Sequence, residues 1–161
     1  MKGSKIVPPE QIANHCEQLR NQPNTVVFTN GIFDLLHAGH IHYLREARSL
    51  GTHLVVALNT DASTRKIKGE QRPLIPLAER AEVLSALEMV NTVTWFDSET
   101  PETIIRLVKP DVLVKGGDWA LNQIAGKEFV ESYGGKVMSL PFLGGFSTTN
   151  IVERILKLPR N

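Results

Sequence analysis

The chain has 161 residues, 42% apolar, 22% charged and 6% aromatic, with a formal charge of +1; this fits one soluble globular domain and excludes collagen-like, disordered and disulfide-scaffold chains. Eighteen Lys and Arg against seventeen Asp and Glu leave no basic field for a nucleic-acid backbone or an anionic membrane. A lone Cys16, no apolar stretch in residues 1–10 and short apolar runs such as 54–58 predict a cytoplasmic protein without disulfide, signal peptide or membrane insertion.

In chain order, residues 1–24 are expected to be an N-terminal extension with a helix from Pro9 to Asn21, ahead of a core at 25–156. Short β-branched runs at 25–29, 53–58, 92–96, 111–114 and 136–140 have the length and composition of buried strands. Between them, apolar residues spaced by three and four (Ile41, Leu44, Ala47; Ala81, Leu84, Leu87) predict helices. Pro101 opens a further helix with Thr100 as its expected cap. Five strands alternating with helices predict a single α/β domain, a doubly wound, Rossmann-like five-stranded parallel sheet. Ligands of such sheets bind beyond the carboxyl ends of the strands, where the strand order reverses.

The first strand runs into Thr29-Asn30-Gly31-Ile32-Phe33-Asp34-Leu35-Leu36-His37-Ala38-Gly39-His40. Neither G-x-G-x-x-G nor G-x-x-x-x-G-K-[ST] is present, so another device must carry any nucleotide chemistry. His37 and His40 share one helical face at a helix start, where free N–H groups suit an anion. With His42 they make three histidines in six residues, which leaves a metal reading open, ranked below anion binding because no complete ligand set accompanies them. Ser147, Thr148 and Thr149 precede an amphipathic stretch; hydroxyls and free N–H groups there suit phosphates, but on the residues alone a plain helix cap is the preferred reading. Lys115-Gly116-Gly117-Asp118 follows the fourth strand and reads as a ribose contact or an ordinary turn.

The run from Asn30 to His40 resembles the H-x-G-H nucleotidyltransferase superfamily and its cytidylyltransferase-like group. Lys68-Gly69-Glu70-Gln71-Arg72-Pro73, Lys115 to Trp119 and Gly145 to Ile151 are similar, in the same order, to motifs of heptose 1-phosphate adenylyltransferases. The resemblance implies transfer of AMP from ATP to a heptose 1-phosphate, releasing pyrophosphate and ADP-heptose for lipopolysaccharide core synthesis. His37, His40 and Lys68 would then be catalytic. Thr29, Asn30, Gly31, Phe33, Gly39, Lys115, Gly117, Asp118, Ser147, Thr148 and Thr149 would join the histidines around the nucleotide. Asp34, Asn59, Asp61, Arg72 and Arg80 would join Lys68 around the sugar phosphate. Mg2+ would ride on the ATP phosphates, with Asp34 an expected helper, and no protein metal site is called for. A separate sugar kinase would supply the acceptor, and the protein would be a homo-oligomer, a dimer. The rival readings are cytidylyl transfer to glycerol 3-phosphate, a non-catalytic nucleotide-binding module and a His-cluster metal protein.

Overall fold

The structure is a computed structural model and describes residues 4–117, 119–141 and 144–159. Its strands are β1 (Val26–Gly31), β2 (His53–Asn59), β3 (Thr92–Phe96), β4 (Val112–Gly116) and β5 (Lys136–Leu140). All pair in parallel, in the order β3-β2-β1-β4-β5. The helices are α1 (Pro9–Arg20), α2 (Ala38–Ser49), α3 (Asp61–Lys68), α4 (Leu77–Ala86), α5 (Glu102–Val108), α6 (Lys127–Ser132) and α7 (Thr148–Leu156). None is long and apolar enough to cross a membrane.

Successive side chains of a strand point to opposite faces, and both faces here are covered. Leu54, Val56 and Leu58 of β2 pack with Tyr43, Leu44 and Ala47 of α2 and with Ala81 and Leu84 of α4. Val55 and Ala57 pack on the other side with Ile12 and Cys16 of α1 and with Ile104, Ile105 and Val108 of α5. That is why β2 reads as an unbroken apolar run. The N-terminal segment seals one edge of the sheet: Val7 N donates to Val93 O and Val93 N to Lys5 O, both at 2.8 Å.

The sheet splits where its order reverses. β1 and β4 pair only through Val27–Thr29 and Val112–Val114. β1 continues along β2 to Gly31, and β4 continues along β5 to Gly116. Asn30 and Gly31 therefore face Lys115 and Gly116 across an open crevice.

Three local expectations are corrected. Asp111 does not begin β4; its carboxylate accepts from Val26 N at 2.7 Å and ties the two strand starts together. Thr100 does not cap α5, whose N-cap is Pro101. Residues 61–68, for which no helix was expected, form α3, and Lys68 ends it. Thr60 caps that helix by accepting from Ser63 N at 3.1 Å.

Candidate active site

His37 is the N-cap of α2 and His40 lies in its first turn, so the chain folds one imidazole onto the other. The rings stack with centroids 3.8 Å apart and planes 20° apart. Phe33, at φ +50, sets its ring 5.1 Å from His40 on the other side. Gly31 is needed beneath it, because a Cβ there would lie 2.9 Å from Phe33 Cε2. Gly39 is needed for the histidines, because its Cβ would lie 3.0 Å from both His37 Nδ1 and Phe146 Cβ. Both Nδ1 atoms are buried without a hydrogen-bond partner among the described residues. Burial, and then the neighbouring His37 ring, push His40 down to about 4, and burial lowers His37. At neutral pH the pair is therefore uncharged, two N–H donors on rigid supports.

A cavity of about 840 Å³ opens beside the pair, in the crevice between β1 and β4. Asn30, Gly31, Phe33, Asp34 and His40 line it from β1 and α2, and Asn59 and Lys68 from β2 and α3. Arg72, Lys115, Thr148 and Thr149 complete the predicted residues on its walls. A second depression, of about 510 Å³, is lined by His37, Ser147, Phe146, Arg154 and Lys157.

Other predicted residues are brought near the site and used for something else. The Thr29 hydroxyl is buried and shares a 2.5 Å hydrogen bond with that of Tyr43, and its backbone lies between β2 and β4, so it holds strand to helix. Asp34 accepts from Arg72 Nη1 (2.8 Å), Leu74 N (2.8 Å) and Ile75 N (2.9 Å), so both carboxylate oxygens are engaged in pinning the segment after α3. Burial raises the Asp34 carboxyl, but the Ile75 and Leu74 amides together with Arg72 outweigh it and hold it below its usual value. Arg80 is fully buried. It donates to Ile75 O (2.9 Å), Ile32 O (2.6 Å), Asn59 O (3.0 Å) and Asp61 Oδ1 (2.6 Å). Asp61 also accepts from Leu77 N at 3.0 Å. Arg80 and Asp61 thus latch the ends of neighbouring elements together, and neither is among the residues that line the cavity. Asn59 Nδ2 donates to Ser63 Oγ at 2.9 Å, and Asn59 lines the cavity.

At α7, Ser147 Oγ accepts from Asn150 N at 3.0 Å, so Ser147 is a helix cap, while Thr148 and Thr149 face the cavity. Gly117 has φ +106 and donates to Leu140 O at 2.8 Å, which makes it the turn that ends β4. Asp118 lies outside the described residues.

The cytidylyltransferase-like family model matches residues 28–154, from within β1 to within α7. The chain belongs to the cytidylyltransferase-like family. It is 51% identical over 155 residues to the bifunctional protein HldE of Hahella chejuensis, covering 96% of this chain and 32% of that protein. Against the bifunctional protein HldE of Geobacter sulfurreducens it is 56% identical over 136 residues, 84% of this chain and 28% of that one. The chain thus spans about a third of the length of these relatives. A lipopolysaccharide core biosynthesis protein from Thermoplasma volcanium superposes with a TM-score of 0.60 at 29% identity, over 74% of this chain and 97% of that one. The pantoate-beta-alanine ligase of Francisella tularensis, 16% identical with a TM-score of 0.57, covers 95% of this chain and 78% of its own, and shares the fold.

Set on this cytidylyltransferase-like frame, the cavity has walls that sequence reasoning missed. Thr64 and Ile67 of α3, Glu99 and Pro101 before α5, Tyr43 of α2 and Trp119 after β4 all line it. Glu99 was findable: it sits three residues beyond β3, at the edge where such sheets bind ligands. Thr64 and Ile67 were not, because α3 itself was unforeseen.

Proposed function

We propose that this chain is an adenylyltransferase that joins AMP from ATP to a heptose 1-phosphate and releases pyrophosphate. The observation that carries the reading is the stacked, neutral His37–His40 pair beside a cavity lined by Lys68, Lys115, Thr148 and Thr149. The half-identity to bifunctional HldE proteins, the likeness to a lipopolysaccharide core protein and the four motifs in order support the heptose acceptor. Use of the product in lipopolysaccharide core synthesis, in the cytoplasm, with a sugar kinase activity upstream, belongs to the same proposal.

A phosphate monoester has its second pKa near about 6, so it is already a nucleophile at neutral pH and needs no general base. Its oxygen attacks the α-phosphorus of ATP while the bond to the β-phosphate oxygen breaks, and pyrophosphate leaves with the electron pair. The chain's task is to hold two polyanions together and to donate to growing negative charge. Neutral N–H groups of His37 and His40 serve that purpose, and their partnerless buried Nδ1 atoms fit a site that a ligand completes. Thr148 and Thr149, at the start of α7, suit the distal phosphates. Magnesium would enter with ATP and screen those phosphates, while the Asp34 carboxylate is oriented at the cavity wall by Arg72 and the amides of Leu74 and Ile75.

The test is pyrophosphate release across four nucleoside triphosphates and several sugar and alcohol phosphates. Fastest release is expected with ATP and heptose 1-phosphate. Faster release with CTP and glycerol 3-phosphate would replace the acceptor and base, and no release with any pair would sink the transferase reading.

A further inference from the structure

Two lysines meet in the cavity from opposite sides of the crevice. Lys68 ends α3 and Lys115 stands one residue from the end of β4, and both line the same walls. Among the described residues neither forms an ion pair. Asp34 is committed to Arg72, and Glu99 shares the lining without coming within ion-pair distance of either ammonium. Lys115 Nζ lies 5.6 Å from the centroid of the Trp119 ring, a weak compensation for a cation partly removed from water. Its protonated form is disfavoured first by burial and then by Lys68 itself. Like charges facing each other in a partly dry site are unfavourable in the absence of a shared anion.

We propose that Lys68 and Lys115 form a two-lysine clamp for the phosphate of the acceptor, so that Lys115 serves the acceptor and not the nucleotide. The inference rests on the nucleotidyl-transfer reading above and names a residue that selects its second substrate. A phosphate dianion matches two ammonium groups in charge, and lysine binds phosphate as a compact point charge. The place also fits. Lys115 follows Val114, where β4 leaves β1, so it borders the crevice opposite Asn30 and Gly31, in the cavity that His40 also lines. An acceptor phosphate held there is neutralised close to the α-phosphorus it must approach. The clamp lowers the repulsion between the two polyanions and takes no proton.

The experiment is calorimetric titration of inorganic phosphate into the protein saturated with the magnesium complex of α,β-methylene-ATP, which cannot release pyrophosphate. Wild type is expected to bind one phosphate. Lys115→Met and Lys68→Met should each weaken it by about 10- to 100-fold, the loss of one charge-assisted contact. Affinity for the ATP analogue should stay within about threefold in both variants. With heptose 1-phosphate and ATP, Lys115→Met should raise the acceptor KM and leave the ATP KM unchanged. The proposal is overturned if wild type binds no phosphate, or if Lys115→Met weakens the analogue and spares phosphate. A clamp that behaves as stated in a protein that releases no pyrophosphate would overturn the transferase reading alone.

Discussion

Asp34 and Arg72, 38 residues apart, form an ion pair at 2.8 Å whose carboxylate also takes the amides of Leu74 and Ile75. One side chain from the loop after β1 thereby fixes the path of the chain between α3 and α4. Asp34→Ala removes three acceptor contacts and leaves two amides and a guanidinium short of partners. The expected destabilisation is about 3 kcal/mol, and Asp34→Asn, which keeps an acceptor for the amides, should cost about half of that. Denaturant midpoints of the two variants check this. The Asp34 carboxyl is held below its usual value, so its contribution is present above the unfolded carboxylate range and is lost as pH falls through the lowered value.

His37→Ala and His40→Ala should each lower kcat by about 10²- to 10³-fold, the usual loss when one donor to developing charge is removed. The dissociation constant of MgATP should change far less, because the donors act on charge that grows during transfer. Single-turnover rates and equilibrium binding separate the two. A folded variant with wild-type turnover would reduce that histidine to a helix-start residue.

Gly39→Ala separates packing from chemistry. Alanine is favoured over glycine in a helix by about 1 kcal/mol, so the fold should be little affected. The new Cβ would lie 3.0 Å from His37 Nδ1 and 3.1 Å from its Cε1, and the ring must give way by a few tenths of an ångström. Activity is expected to fall at least about tenfold while the melting temperature holds within a few degrees. Unchanged kcat would mean that the His37 ring position is not critical.

Acid should weaken the fold through a second histidine pair, far from the site. His15 Nε2 and His53 Nε2 lie 3.0 and 2.8 Å from the buried Thr92 hydroxyl. Burial, then His15 and Arg48, push His53 down to about 4, while the unfolded chain titrates near 6.5. Between those values the unfolded state binds the extra proton, so stability is highest above pH 6.5 and falls as pH drops towards 4. Allowing for the partial solvent contact of His53, its share is about 1–2 kcal/mol. Melting curves across this range should show a shallower acid limb for His53→Gln; an identical slope would remove His53 from the account.

The parallel sheet was legible because strands buried on two faces need long apolar runs, and residues 53–58 show one plainly. The start of α2 stood out as a candidate site because glycines and paired histidines stand together in sequence. Asp34, Asp61 and Arg80 were picked out as site residues from the sequence, but the hydrogen bonds that tie them to other parts of the chain were not legible there. A guanidinium that bonds Ile32, Asn59, Asp61 and Ile75 owes its role to four segments meeting in space, and no spacing along the chain records that meeting. α3 escaped because it buries Ser63 and Thr64 and not an apolar stripe. Its polar interior is satisfied by Asn59 and Thr60, each four residues back, and by the distant Ser98 carbonyl.

The last helix carries one more implication. α7 has no buried residue, and Ile155 and Leu156 are 57% and 72% exposed, yet its first residues supply Thr148 and Thr149 to the cavity. An element held by so few apolar contacts opens locally more often than the sheet does. Amide hydrogens between Val152 and Leu156 should therefore exchange with deuterium well ahead of those in β1 and β2. If the proposed phosphate contacts at Thr148 and Thr149 form, MgATP should slow that exchange along the whole length of the helix. Ligand binding would then be recorded as protection at residues that never touch the ligand.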